Sequence, residues 1–222
     1  KQRSLRPEID RVTAALELIL ARGTPNEAPA LAGIGVPAFA GLRREPRLLL
    51  ERLVAARPAS AALPERWRNG LLADLGAEAL RQHYARFAAA AADQATAQWF
   101  AGYAALVAGE RHMQDQRADV ALTAYTEAID RFARCADAED LGDSANHFAV
   151  LALAGRAHLR FAAGQAEGAV EDLLRAAELR PESLDETDGL LRKPRAIAGR
   201  IARELTAQGQ AELAASLQPM LP

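Results

Sequence analysis

The chain has a single cysteine, Cys135, in 222 residues, which excludes an intrachain disulfide and a cysteine-based metal framework. The redox compartment therefore stays open. Aromatic residues make up only 5% of the sequence although half of it is hydrophobic, so the apolar content is mostly Ala and Leu. Both are strong helix formers that lose little side-chain freedom in a helix. Runs of β-branched residues are missing, as is any sustained apolar/polar alternation, and the expected class is all-α. No apolar run approaches the ~20 residues needed to span a bilayer. Ala88 to Ala92 is an alanine run too short and too weakly apolar for that. Lysine is nearly absent, with Lys1 and Lys193 the only two, and positive charge is carried by arginine. A GC-rich, bacterial coding sequence accounts for this bias, although Arg also forms bidentate carboxylate contacts better than Lys does. A net charge of −2 gives no field that would draw the chain to nucleic acid or to an anionic membrane.

Helical signals begin at about Arg6 and run to Ala21, with Pro7 suited to a first turn and Gly23 as a stop. Gly23 to Pro37 carries three Gly and three Pro and reads as a linker or irregular loop. A second helical region covers Ala38 to Ala56, interrupted near Pro46. A third is expected from Pro64 toward Ala91, and a fourth from Asp93 through Trp99, Tyr103 and Val107. The first 97 residues thus form an N-terminal helical region. Because the chain begins at Lys1 rather than Met, a fragment or a processed product is expected. A soluble protein is expected, with cytoplasmic and periplasmic or envelope-associated locations both open.

Beyond Gln98 the sequence repeats itself. Gly109 is followed by Ala121, Tyr125 and Ala128; Gly155 is followed by Ala169, Leu173, Ala176 and Pro181. Ala198-Gly199-Arg200 echoes Ala154-Gly155-Arg156, and Gly209-Gln210-Ala211-Glu212 echoes Gly164-Gln165-Ala166-Glu167. Small residues at three- and four-residue steps let two helices approach closely, with a larger side chain between them. The interval from Gly109 to Gly155 to Gly199 is roughly 45 residues, the mark of stacked helical pairs.

Ala121, Tyr125 and Ala128, and Ala169, Leu173, Ala176 and Pro181, resemble the second helix of a tetratricopeptide repeat. Gly109 and Gly155 resemble the small residue of its first helix. The resemblance implies antiparallel helix pairs stacked as a right-handed α-solenoid, with units at about 98–134, 144–181 and 194–219. The family's usual period is about 34 residues. Here it is longer, with the excess mainly in the Cys135 to Asn146 connection, and the last unit has a short second helix like a cap.

Few constellations point to chemistry. His112 and His158 each follow a repeat glycine by three residues. They invite a metal or proton-transfer reading, but no His-x-x-x-His pair accompanies them, and packing is the favoured role. Asp137, Glu139, Asp140 and Asp143, and then Glu182, Asp185, Glu186 and Asp188, are acidic clusters without the spacing of a calcium loop. They read as solvated loops and caps, with Asp143 or Ser144 opening the next helix. Cys135 lacks a neighbouring base, and nucleophile-elbow, phosphate-loop and dinucleotide motifs are absent. Neither catalysis nor a metal or cofactor is expected. Arg43, Arg44, Arg47, Arg66 and Arg68, with Trp67, carry too little charge and too few aromatics for nucleic acid.

Function is expected to rest on binding another protein. If Gly155 and Gly199 are equivalent, the resemblance puts Arg156, Arg160, Lys193, Arg200 and Arg203 on the concave face of the solenoid. There they would engage the carboxylates of an acidic peptide. The family's carboxylate-clamp members need Lys and Asn where this chain has Leu106 and Glu110, which argues against chaperone binding of that kind. A regulatory or substrate-positioning domain of a larger enzyme, such as a signalling kinase or a cell-envelope hydrolase, is the alternative. Self-association through an exposed apolar flank at Leu213, Leu217 and Met220 is a further possibility.

Overall fold

A computed structural model describes residues 76–91, 93–186 and 193–221. The expected helices before residue 76, the 23–37 loop and the arginines around Trp67 lie outside the described residues. Among the described residues the elements are helical throughout: α1 (Gly76–Ala90), α2 (Gln94–Gln114), α3 (Ala118–Ala133), α4 (Gly142–Ala162), α5 (Ala166–Leu179), α6 (Pro194–Ala207) and α7 (Ala211–Ser216). Short 3-10 turns cover Pro181–Asp185 and Gln218–Met220. Each of α1 to α5 packs on the next, α6 packs on α7, and α2–α4 and α4–α6 also touch.

Local chemistry sets the helix ends. Asp93 caps α2, its carboxylate accepting from the Thr96 N–H at 2.8 Å and the Thr96 hydroxyl at 2.7 Å. The turns after α2, α4 and α6 share one geometry. The Arg117, Gln165 and Gln210 amides donate to the carbonyls five residues earlier, His112, Arg160 and Leu205, at 2.8–2.9 Å. This i to i−5 bond is the Schellman closure, and it needs a left-handed residue just past the helix. Gly164 and Gly209 supply it with φ of 77° and 78°, whereas the first turn uses Gln116 at φ 60°. Each turn reverses the chain and joins α2 to α3, α4 to α5 and α6 to α7 as helical hairpins.

Chemistry of a different kind opens α4. Neither Asp143 nor Ser144 caps it; the helix starts at Gly142 without a side-chain cap. A Cβ at position 142 would lie 2.1 Å from the Ala136 carbonyl oxygen, so the loop closes only with glycine there. Ser144 is instead buried, accepting from Trp99 Nε1 at 3.2 Å.

Among the described residues most aromatic rings meet in one cluster. Tyr84, Trp99, Phe100, Tyr103, Phe132 and Phe148 are buried together. Tyr84 stacks on Tyr103 at 4.2 Å, and Phe148 meets the edge of Tyr103 at 4.8 Å. Such pairs add about 0.5–1.5 kcal/mol each beyond area burial. Toward α6 and α7 the core turns to small and branched aliphatic residues, including Ala198, Ile201 and Leu205.

Tyr125 ties the first two hairpins together. A Cβ at Gly109 would lie 2.8 Å from its ring, and a Cβ at Gly155 would lie 2.6 Å from it. The ring is fully buried between these two helix backbones, and its hydroxyl donates to Glu110 Oε2 at 2.9 Å. Burial, and then the Glu110 charge, push its phenol well above the usual range.

The expected apolar flank at the last hairpin is absent. Leu217 and Met220 are fully buried, and Leu213 is partly buried. After α7 the chain folds back through the Gln218–Met220 turn, and Arg195 Nη1 holds the Met220 carbonyl at 2.5 Å. Among the described residues the large exposed hydrophobics are Val120 and Leu179.

Candidate functional site

The arginines expected to bind a partner fall into different settings. Arg156, on α4, is buried. Its Nε and Nη2 reach the two oxygens of Asp172 on α5 at 3.0 and 2.7 Å, a bidentate fork. Its Nη1 donates to Thr126 Oγ1 on α3 at 3.3 Å. Arg160, one turn on, shares the same carboxylate through Nη1 at 3.0 Å and also donates to the Gly168 carbonyl at 3.2 Å. Asp172 is only 4% exposed and faces two guanidiniums. The network joins α3, α4 and α5, and it leaves one positive charge in excess on the Arg160 side.

Arg200, on α6, contacts His158 Nδ1 through Nη2 and donates to Glu204 Oε1 at 3.2 Å. It is about one-third exposed. Arg203 is exposed and lines an open groove of about 540 Å³ with Ala202, Thr206, Ala214 and Gln218, between α6 and α7. Lys193 is exposed just before α6, where its carbonyl accepts the Ala196 and Ile197 amides. Among the described residues neither Arg203 nor Lys193 has a carboxylate within ion-pair distance. Shared contacts thus unite Arg156 with Arg160, Arg200 makes its own, and neither Arg203 nor Lys193 joins them among the described residues.

Other polar groups are tied into the scaffold. His147 Nδ1 lies 3.0 Å from Ser183 Oγ and 3.4 Å from Glu186 Oε2. Serine and carboxylate therefore meet the same ring nitrogen, whereas a nucleophile relay needs one on each. Ser183 is also fully buried. In the acidic clusters, Asp143 pairs with Arg180 at 3.2 Å and Asp185 with Arg195 at 2.9 Å. No group of three or more His, Cys, Asp or Glu side chains suited to a metal occurs among the described residues. Burial pushes the Cys135 thiol up to about 11, away from the reactive thiolate.

Sequence reasoning missed two residues that organise this region. Asp172 and Glu110 look like surface helix acids, yet both are buried and bonded to partners 16 and 15 residues away. Acids at buried repeat steps were the available signal, since an unpaired carboxylate would be costly there. No family model, curated protein or solved structure matches the chain. Nor is any described helix long and apolar enough to cross a membrane.

Proposed function

We propose that the chain is a non-catalytic protein–protein interaction scaffold. In this reading tetratricopeptide-like hairpins stack as a right-handed solenoid and recognise an acidic peptide or partner through arginine. The observation that carries it is the same Schellman-closed turn at Gln116, Gly164 and Gly209, joining three packed hairpins. Repeated hairpins of this kind expose continuous faces on which a partner can lie. Among the described residues Arg203 and Lys193 have no carboxylate partner, and Arg200 keeps a partly exposed guanidinium. Arg156 and Arg160 act as positioning residues, since Asp172 fixes both.

Charge reversal tests the reading. Arg200→Glu and Arg203→Glu should together abolish capture of the native partner, identified by affinity capture and mass spectrometry, with far-UV circular dichroism unchanged. Capture that survives both changes rejects the arginine face.

A further inference from the structure

Two clefts on the first three helices share a wall. One, of about 350 Å³, lies where the start of α1 meets the end of α2 and the turn into α3. Arg81, Arg111 and Arg117 line it with Glu78, Asp115 and His112, so three guanidiniums face two carboxylates. Glu78 accepts both arms of Arg81, at 2.7 and 3.1 Å, and this bond holds its carboxyl at about 2. Asp115 bridges Arg111 at 3.1 Å and Arg117 at 2.9 Å. One positive charge stays unbalanced, and the buried Nδ1 of His112 has no hydrogen-bond partner.

The second cleft, of about 280 Å³, is walled by methyl groups: Ala85 and Ala88 of α1, Ala104 and Ala105 of α2, and Ala124 of α3. Glu127 stands at its α3 rim, where Arg131 Nη2 balances its charge at 3.2 Å and leaves Oε2 unused. Arg81 and Ala108 line both clefts, so the two form one trough along α2 from Ala101 to Asp115. At 1.5 Å per residue that is about 21 Å, enough for about six residues of extended peptide.

We propose that this trough docks an extended segment of a partner protein, alanine-sized along most of its length, with one acidic side chain at the arginine end. This rests on the scaffold reading and assigns partner chemistry to a surface separate from Arg200 and Arg203. The carboxylate balances the excess guanidinium charge and meets donors that Glu78 and Asp115 leave unused. Alanine walls let a peptide backbone lie close against the helices, with small side chains filling the space that remains. Glu127 accepts amide N–H groups, which a simple anion or an acyl chain does not offer. A free anion would also leave the methyl-lined half empty.

The probe is an acetylated, C-terminally amidated hexapeptide of five alanines and a final glutamate, beside its glutamine twin. Titrated into the full chain and followed by NMR, the glutamate peptide should saturate shifts of the Ala85 and Ala88 methyls and the His112 ring. The glutamine twin should bind about tenfold more weakly, the loss of ~1.4 kcal/mol. Arg117→Ala should weaken the glutamate peptide to the same degree. Ala85→Trp, placed at an exposed rim position, should block it with circular dichroism unchanged. Absence of saturable shifts, equal binding of the twins, or saturation by inorganic phosphate alone overturns the proposal. If it falls while Arg200→Glu and Arg203→Glu still abolish partner capture, the trough is wrong and the scaffold reading stands.

Discussion

Gly155 and Gly199 each sit in the same Ala-Gly-Arg motif, yet alanine should have opposite effects at the two positions. In either helix Gly→Ala removes about 1 kcal/mol of unfavourable helix propensity. At Gly199 the new methyl would lie 3.6 Å from Arg203 Nη1 and 3.7 Å from Leu221 Cδ2, ordinary contacts with movable atoms. The gain should survive there as roughly 0.5–1 kcal/mol of added stability. At Gly155 the methyl would lie 2.6 Å from Tyr125 Cζ and 2.8 Å from Cε1, inside any tolerable contact. The ring cannot swing aside, because Gly109 backs it and Glu110 holds its hydroxyl. Overpacking costs about 1–3 kcal/mol. Losing the Glu110 bond would cost a further 1–3 kcal/mol or so, since it strands a buried carboxylate. After the propensity gain, Gly155→Ala should be destabilising by about 1–5 kcal/mol. Urea unfolding followed by circular dichroism measures both variants. Equal stabilisation by the two alanines would refute the account of Tyr125 as a ring held between two helix backbones.

The remaining predictions use the same assay or a chemical probe. Gln116→Gly should stabilise by about 0.5–1 kcal/mol, because the left-handed conformation costs glycine nothing; Gly164→Ala and Gly209→Ala should destabilise by a similar amount. Asp172→Ala should cost about 3–5 kcal/mol by stranding Arg156 in the interior, and Thr126→Val much less. Cys135 should resist a thiol-reactive disulfide reagent at pH 8 until denaturant is added. Its folded-state value of about 11 lies above the ordinary 9.0, so the unfolded thiol ionises first and stability should fall as pH rises from 9 toward 11. A native thiol that reacts as fast as free cysteine would contradict that burial.

What was legible in the sequence was local. Asp93 announces the start of α2 because a capping carboxylate bonds within three residues, and Gly164 and Gly209 announce helix ends because their conformation is their signal. The all-α class follows from Ala and Leu content. Gln116 adopts the same left-handed turn without a glycine to mark it. Ser144 reads as a cap but bonds to Trp99, 45 residues away. Arg156 reads as a surface cation but is enclosed by Asp172 and Thr126. Met220 reads as an exposed tail residue until Arg195, 25 residues earlier, holds its carbonyl. Pairings across such distances leave no periodic trace, and they decide which charges stay exposed.

The two-sided seat of Tyr125 also bears on how such a chain could have been assembled. Its ring belongs to the first hairpin, but half of its socket is the Gly155 backbone of the second. A hairpin that borrows its neighbour's glycine is not a cassette to be shuffled, deleted or appended at will. Any duplication that copied Tyr125 without a following glycine would arrive with a ring and nowhere to put it. The second hairpin carries Leu173 where the first has Tyr125, and a Cβ at Gly199 of the third would meet only Arg203 and Leu221 at ordinary distance, so that pair is under no such obligation. The boundary between the first two hairpins is therefore more constrained than the one between the second and the third.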